Sequence, residues 1–185
     1  MLFVRIRSIK VGSLQTNCYI VSNVETWVID PGFEVEKILK EIAGLKVKAV
    51  LLTHGHYDHV TSAFELKAPV WIGEKDEDMM VFSTKHKADR LLKDGERIGD
   101  FKVISTPGHT PGGLCLYNEK EKVVFTGDTM FAGDYGRTDL PGSSETEMIT
   151  SLKKLLKLPP ETKVFPGHGG PTTIGDEQNL LQSIK

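Results

Sequence analysis

Three imidazoles and a carboxylate fall within six residues in the segment Thr53-His54-Gly55-His56-Tyr57-Asp58-His59. Such a set is costly to bury unless a metal ion or a full hydrogen-bond network satisfies it. Three more candidates follow apolar runs and lie beside a glycine: His109 in Thr106-Pro107-Gly108-His109, Asp128 in Thr126-Gly127-Asp128, and His168 in Pro166-Gly167-His168. Each of these alone is the pattern of an ordinary turn, but in series behind the first segment they read as a ligand set. Imidazole and carboxylate suit borderline divalent ions such as zinc, iron and manganese. A set without cysteine thiolates points to a catalytic site and not to a closed structural zinc site. His54 and His56 are two apart and share one face of an extended chain, whereas Asp58 and His59 open a helix and turn elsewhere. One short segment can thus feed two adjacent ions. Of the six histidines, only His86, inside Lys85-His86-Lys87, reads as plain surface.

These side chains need rigid elements behind them. Strand-like runs at Cys18 to Ser22 and Thr26 to Ile29 flank Asn23-Val24-Glu25 and suggest a hairpin ending at Asp30-Pro31-Gly32. Glu34 to Ala43 places Val35, Ile38, Leu39 and Ile42 on one helical face, with Gly44 set to stop it. Val47 to Leu52 reads as a buried strand running into the histidine segment, and Val60 to Leu66 as a helix with Asp58 near its N-terminus. Val103 to Ser105, Lys122 to Phe125 and Lys163 to Phe165 are strands that deliver His109, Asp128 and His168. A glycine-rich loop, Thr129 to Ser143, separates the last two, followed by a helix from about Ser144 to Leu158. A short helix near Asp176 to Ile184 closes the sequence.

The 185 residues, 39% hydrophobic and 26% charged, carry no linker-like tract and no repeat, so one domain over 1–185 is expected. A formal charge of −2 with scattered lysines gives no positive field for phosphate backbones, so a small-molecule substrate is expected and nucleic acid is not. No apolar run approaches the roughly 20 residues that cross a bilayer, and Met1 to Arg7 alternates like a strand and unlike a signal peptide. The expectation is a cytoplasmic protein without a membrane partner. Cys18 and Cys115 each lie in a strand-like run and read as two buried free thiols. Nothing in the sequence fixes an oligomeric state.

The order of His54, His56, Asp58, His59, His109, Asp128 and His168 resembles the motif series of the metallo-β-lactamase superfamily along almost the whole chain. The resemblance implies an α/β fold, a four-layer αβ/βα sandwich of two mixed β-sheets with outer helices. It implies that His54, His56 and His109 hold a first metal, Asp58, His59 and His168 a second, and that Asp128 bridges them. Asp30 would be an outer residue that orients a ligand histidine. An aspartate at the bridging position, together with Tyr135-Gly136-Arg137-Thr138-Asp139-Leu140-Pro141-Gly142, is similar to the short glyoxalase II-like (hydroxyacylglutathione hydrolase-like) branch, whose signature persulfide dioxygenases share. Full-length glyoxalase II continues into a helical glutathione-binding domain where this sequence stops, so poor glutathione recognition is expected. The large insertion of the nuclease members is absent.

The expected activity is therefore that of a binuclear metal-dependent hydrolase of a thioester or ester, with zinc the expected ion and iron or manganese the alternatives. Two divalent ions lower the pKa of a bridging water from about 15.7 toward 7, and the resulting hydroxide attacks a carbonyl polarised by one of them. Asp58 would orient that hydroxide and carry its proton to the leaving group. Arg137 is a candidate clamp for a substrate carboxylate, or else a member of a structural ion pair. Two other readings stand beside the hydrolase: a persulfide dioxygenase with one Fe(II) on His54, His109 and Asp128, and a non-catalytic metal-binding protein.

Overall fold

Burial on both faces explains the near-continuous apolar runs that open the chain: every residue from Thr16 to Val21 and from Thr26 to Gly32 other than the half-exposed turn between them is buried. The computed structural model describes residues 4–182. They form two compact units that divide after Leu92.

In the first unit six strands follow one another across the sheet in chain order: β1 (Arg5–Val11), β2 (Thr16–Ser22), β3 (Thr26–Ile29), β4 (Val47–Leu51), β5 (Val70–Gly73) and β6 (Arg90–Leu92). The first three are antiparallel, with Arg5 opposite Ser22 and Ser22 opposite Thr26, and β3 to β6 run parallel. Parallel neighbours need crossover connections. These carry α1 (Val35–Glu41), α2 (Tyr57–Val60) and α3 (Glu77–Thr84). Ile38, Ile42, Val60, Ala63, Leu66 and Met80 from the crossovers pack on Ile9, Val11, Cys18, Ile20, Val28, Val50 and Ile72 of the sheet. Leu39, expected on the inner face of α1, is 37% exposed, because Val35, Ile38 and Ile42 already span the stripe that meets the sheet.

The helix expected from Val60 to Leu66 is not continuous. The α2 helix ends at Val60 and a separate 3-10 turn covers Phe64–Leu66. The cause is the Asp-Pro-Gly turn: Ser62 N donates to the Pro31 and Gly32 carbonyls at 3.0 Å each. A Cβ on Gly32 would stand 1.6 Å from the Asp58 carbonyl oxygen, so the turn lies directly on the α2 backbone.

The second unit has a six-stranded sheet built from β7 (Arg97–Ile98), β8 (Phe101–Ser105), β9 (Leu114–Asn118), β10 (Val123–Gly127), and, after a separate two-stranded ribbon β11 (Met130–Phe131) and β12 (Asp134–Tyr135), β13 (Lys163–Pro166) and β14 (Thr172–Thr173). Its order is β14-β13-β10-β9-β8-β7, and β10 with β13 is its parallel pair. The crossover between them carries α4 (Glu145–Leu155), whose start is capped by the Ser144 hydroxyl accepting from Glu147 N. Met148, Leu152 and Leu155 recur at helical spacing and pack on Ile104, Cys115, Tyr117, Val124 and Val164.

The glycine-rich loop thus contains the β11–β12 ribbon. The expected closing helix is replaced, within the described residues, by turns and a 3-10 turn at Leu180–Gln182, and Ile184 lies outside them. Side chains satisfy this stretch locally: Thr173 Oγ1 donates to Asp176 Oδ2 and accepts from Asp176 N, and Glu177 accepts from Thr172 Oγ1 and Gly133 N. Residues 1–3 of the N-terminal alternation also lie outside the described residues. Both cysteines are free and buried, as their strand context implied.

Candidate metal centre

Each sheet gathers its candidate ligands at one edge. In the first, β3, β4 and β5 are parallel, so the chain leaves all three at the same end. Asp30 follows β3, the segment from Thr53 to His59 follows β4, and Asp76 follows β5. Because β2 is antiparallel to β3, Thr16 at its start belongs to that edge too.

Asp30 sits at φ 53°, a left-handed conformation that Asp tolerates better than most residues. Its carboxylate accepts from Thr53 N at 2.8 Å, from Thr53 Oγ1 at 2.7 Å and faces His59 Nδ1 at 3.0 Å. The Thr53 hydroxyl proton is committed to Asp30, so the 3.1 Å contact between Thr53 Oγ1 and His54 Nδ1 requires Nδ1–H to be the donor. His59 Nδ1 faces a carboxylate and is likewise protonated. Both rings therefore carry their lone pair on Nε2. Ligand atoms of His54 and His56, of His54 and His59, and of Asp58 and His59 lie within 4.8 Å of one another. Asp58 is oriented by the Thr16 hydroxyl, which donates to its Oδ2 at 2.9 Å.

In the second unit β8, β10 and β13 point the same way, since each of the first two is antiparallel to β9 and β10 is parallel to β13. His109, Asp128 and His168 follow their respective ends. The loop before His109 is held by α4: Ser144 N donates to the Gly108 carbonyl at 2.7 Å and Ser151 Oγ to the Pro107 carbonyl at 2.6 Å. His109 Nδ1 meets the Arg137 carbonyl at 2.9 Å, an acceptor only, so it too is an Nδ1–H tautomer with its lone pair on Nε2. Asp128 Oδ2 lies 3.5 Å from Nε2 of both His109 and His168. Gly136 has no room for a side chain, as a Cβ there would be 1.8 Å from the Asp128 carbonyl oxygen.

Other sequence candidates stand apart from this chemistry. His86 is exposed and lies against Phe64, with ring centroids 4.8 Å apart. The Arg137 guanidinium is exposed and forms two hydrogen bonds to Asp139, at 2.6 and 2.7 Å. That pairing holds the Asp139 carboxyl down to about 2. Burial, reinforced by the Asp30 charge, raises the Cys18 thiol and the Tyr19 hydroxyl far above their ordinary ranges, which removes both as nucleophiles near neutral pH. Sequence reasoning missed Thr16, Thr53 and Asp76. Threonine before a histidine and an aspartate within Glu74-Lys75-Asp76-Glu77-Asp78 carry no distinguishing local signal.

The donors fit a divalent ion: imidazole Nε2 lone pairs fixed by Nδ1 partners, with carboxylates and no thiolate. His and Asp side chains among the described residues form groups able to hold a metal ion. The family model of the metallo-β-lactamase superfamily matches residues 11–168. The chain belongs to the metallo-β-lactamase superfamily. Its two large mixed sheets with few helices are that superfamily's fold. A superfamily protein from Haemophilus influenzae, hydroxyacylglutathione hydrolase GloC, is 35% identical, over 94% of this chain and 94% of its own length. A di-iron-bound form of TTHA1623 is 39% identical with a TM-score of 0.86, covering 92% of this chain and 96% of that one. The B3 metallo-β-lactamase BLEG-1 is 34% identical with a TM-score of 0.88, over 95% and 97%. Proteins of this superfamily are typically metal-dependent hydrolases, and the names of these relatives span more than one substrate.

Proposed function

We propose that the protein hydrolyses a thioester or ester with two divalent ions, His54, His56 and His109 holding one, Asp58, His59 and His168 the other, and Asp128 bridging. The reading rests above all on the three imidazoles whose Nδ1 atoms are each committed to an oxygen, so that His54, His59 and His109 offer Nε2 as ligands. It is supported by the likeness to GloC for the thioester and by the di-iron form of TTHA1623 for the pair of ions. Ions held there supply Lewis acidity, lowering the pKa of water toward about 7 and polarising a carbonyl.

The chain's own residues do the rest. Asp58, with its carboxylate rotation set by Thr16, moves a proton toward the leaving group. Asp30 and Thr53 keep the imidazoles in the ligating tautomer. Arg137 meets Asp139 through Nε and Nη2, and an exchange of Asp139 for a substrate carboxylate would cost little because both partners are exposed.

Steady-state hydrolysis of S-lactoylglutathione, short-chain thioesters and simple esters, before and after exhaustive chelation, tests the proposal. Thioester hydrolysis that is lost on chelation and restored by zinc or iron is expected, and a rate indifferent to chelation would overturn it. Because a related protein takes two irons, oxygen uptake with glutathione persulfide is measured on the same iron-loaded sample. Uptake there without thioester hydrolysis in any metal form would replace the hydrolase with the dioxygenase.

A further inference from the structure

The histidine segment leaves β4, which lies between β3 and β5 in the sheet. The β3 side supplies Asp30, which holds Thr53. The β5 side supplies a second carboxylate with no part in the motif series. Asp76 ends a 3-10 turn, Glu74–Asp76, directly after β5, and it is fully buried. Its Oδ2 accepts from Gly55 N at 2.9 Å, the amide of the peptide that joins His54 to Gly55.

Two features separate this contact from ordinary turn chemistry. Asp76 occupies the N-cap position of α3, where an aspartate normally accepts from the first helical amides, yet its side chain makes no capping bond. The carboxylate is turned to Gly55 instead. The approach is also built into the backbone: a Cβ on Gly55 would stand 2.7 Å from the Asp76 carbonyl oxygen and 2.9 Å from Met79 Cβ. Glycine between the two histidines is therefore needed for Asp76 to come close enough.

We propose that Asp76 is a positioning residue for the metal site, fixing the His54–Gly55–His56 turn from the flank opposite Asp30. Asp30 grips the residue before His54, and Asp76 grips the residue between His54 and His56. The two imidazoles, with ring centroids 4.9 Å apart and planes at 89°, are thereby set at a defined angle before any ion arrives. This inference rests on the assignment of His54 and His56 as ligands.

The test compares Asp76→Ala, Asp76→Asn, Gly55→Ala and Asp78→Ala with the wild-type holoenzyme. It reads zinc affinity by chelator competition and the Gly55 amide by hydrogen exchange and proton shift. Asp76→Ala should speed Gly55 exchange and weaken zinc binding by about 10- to 100-fold, the usual effect of losing a partner outside the ligand shell. Asp76→Asn keeps a weaker acceptor of the same shape, so it should fold, shift the Gly55 proton upfield and restore most of the affinity. Gly55→Ala should behave like Asp76→Ala, and exposed Asp78→Ala like wild type. Unchanged zinc affinity in a folded Asp76→Ala, or in Asp76→Asn together with Gly55→Ala should the first not fold, would overturn the proposal. Failure of the ligand assignment itself shows separately, as unchanged zinc binding in His56→Ala.

Discussion

His59 Nδ1 lies 3.0 Å from Asp30 Oδ2, with both side chains buried, and the same carboxylate holds the backbone and hydroxyl of Thr53. One acidic residue thus sets the tautomer of His59 directly and that of His54 through the threonine. Replacing Asp30 with alanine leaves buried donors without their acceptor, each costing about 1–3 kcal/mol. Asp30→Ala should lower the unfolding midpoint in denaturant and reduce metal per chain even where the protein stays folded. Asp30→Asn should be milder in both, because its amide oxygen can keep the Oδ2 place facing Thr53 Oγ1 and His59 Nδ1 while its nitrogen meets only Thr53 N. Elemental analysis of the folded variants checks this, and full metal content in a folded Asp30→Ala would show that the tautomer is fixed elsewhere.

Glycines can be separated by what a methyl group would meet. Gly136→Ala should displace Asp128 and remove metal, since a Cβ there collides with the Asp128 carbonyl oxygen. At Gly170 nothing lies within 4 Å and the backbone is not left-handed, so Gly170→Ala should leave metal content unchanged and alter stability by no more than about 1 kcal/mol. Equal metal loss in both variants would mean that glycine replacement acts through general destabilisation.

The Arg137–Asp139 pair gives a pH prediction with a definite sign. Its hydrogen bonds hold the Asp139 carboxyl at about 2, below the roughly 3.9 of an unfolded chain. A depressed folded value contributes stability above the unfolded pKa, and the contribution is lost as pH falls from about 4 through 2. Carbon-13 titration should place Asp139 near 2 in the wild type and near 3.9 in Arg137→Gln. An unmoved midpoint would show that the guanidinium is not its partner in solution.

Buried thiols should resist modification. Cys18 is fully buried with its thiol pKa raised, so it should react with iodoacetamide at pH 8 at the rate of global unfolding only. Labelling as fast as that of a free thiol would contradict its burial.

How much of this was legible in the sequence depends on what each feature needs. His54, His56, Asp58, His59, His109, Asp128 and His168 stood out as candidate ligands because the first four crowd into six residues after an apolar strand and the other three each follow a glycine, which is local information. The strands β2, β3 and β4 and the core face of α4 were legible from apolar runs and helical spacing. The break after Val60 was not, because it depends on Ser62 N finding Pro31 and Gly32, a contact across about thirty residues that periodicity does not register. Asp76 was hidden for a related reason. In a run of five charged residues it looks like a solvated helix start, and only the pairing of β5 beside β4 brings it to Gly55.

The most direct measurement is metal per chain in protein purified under anaerobic conditions, for the wild type and for His56→Ala, Asp128→Ala and His86→Ala. Two ions per chain are expected in the wild type and in His86→Ala, whose ring is exposed beside Phe64. Clear loss is expected in His56→Ala and Asp128→Ala. Full occupancy in Asp128→Ala, or the same loss in His86→Ala as in His56→Ala, would contradict the site.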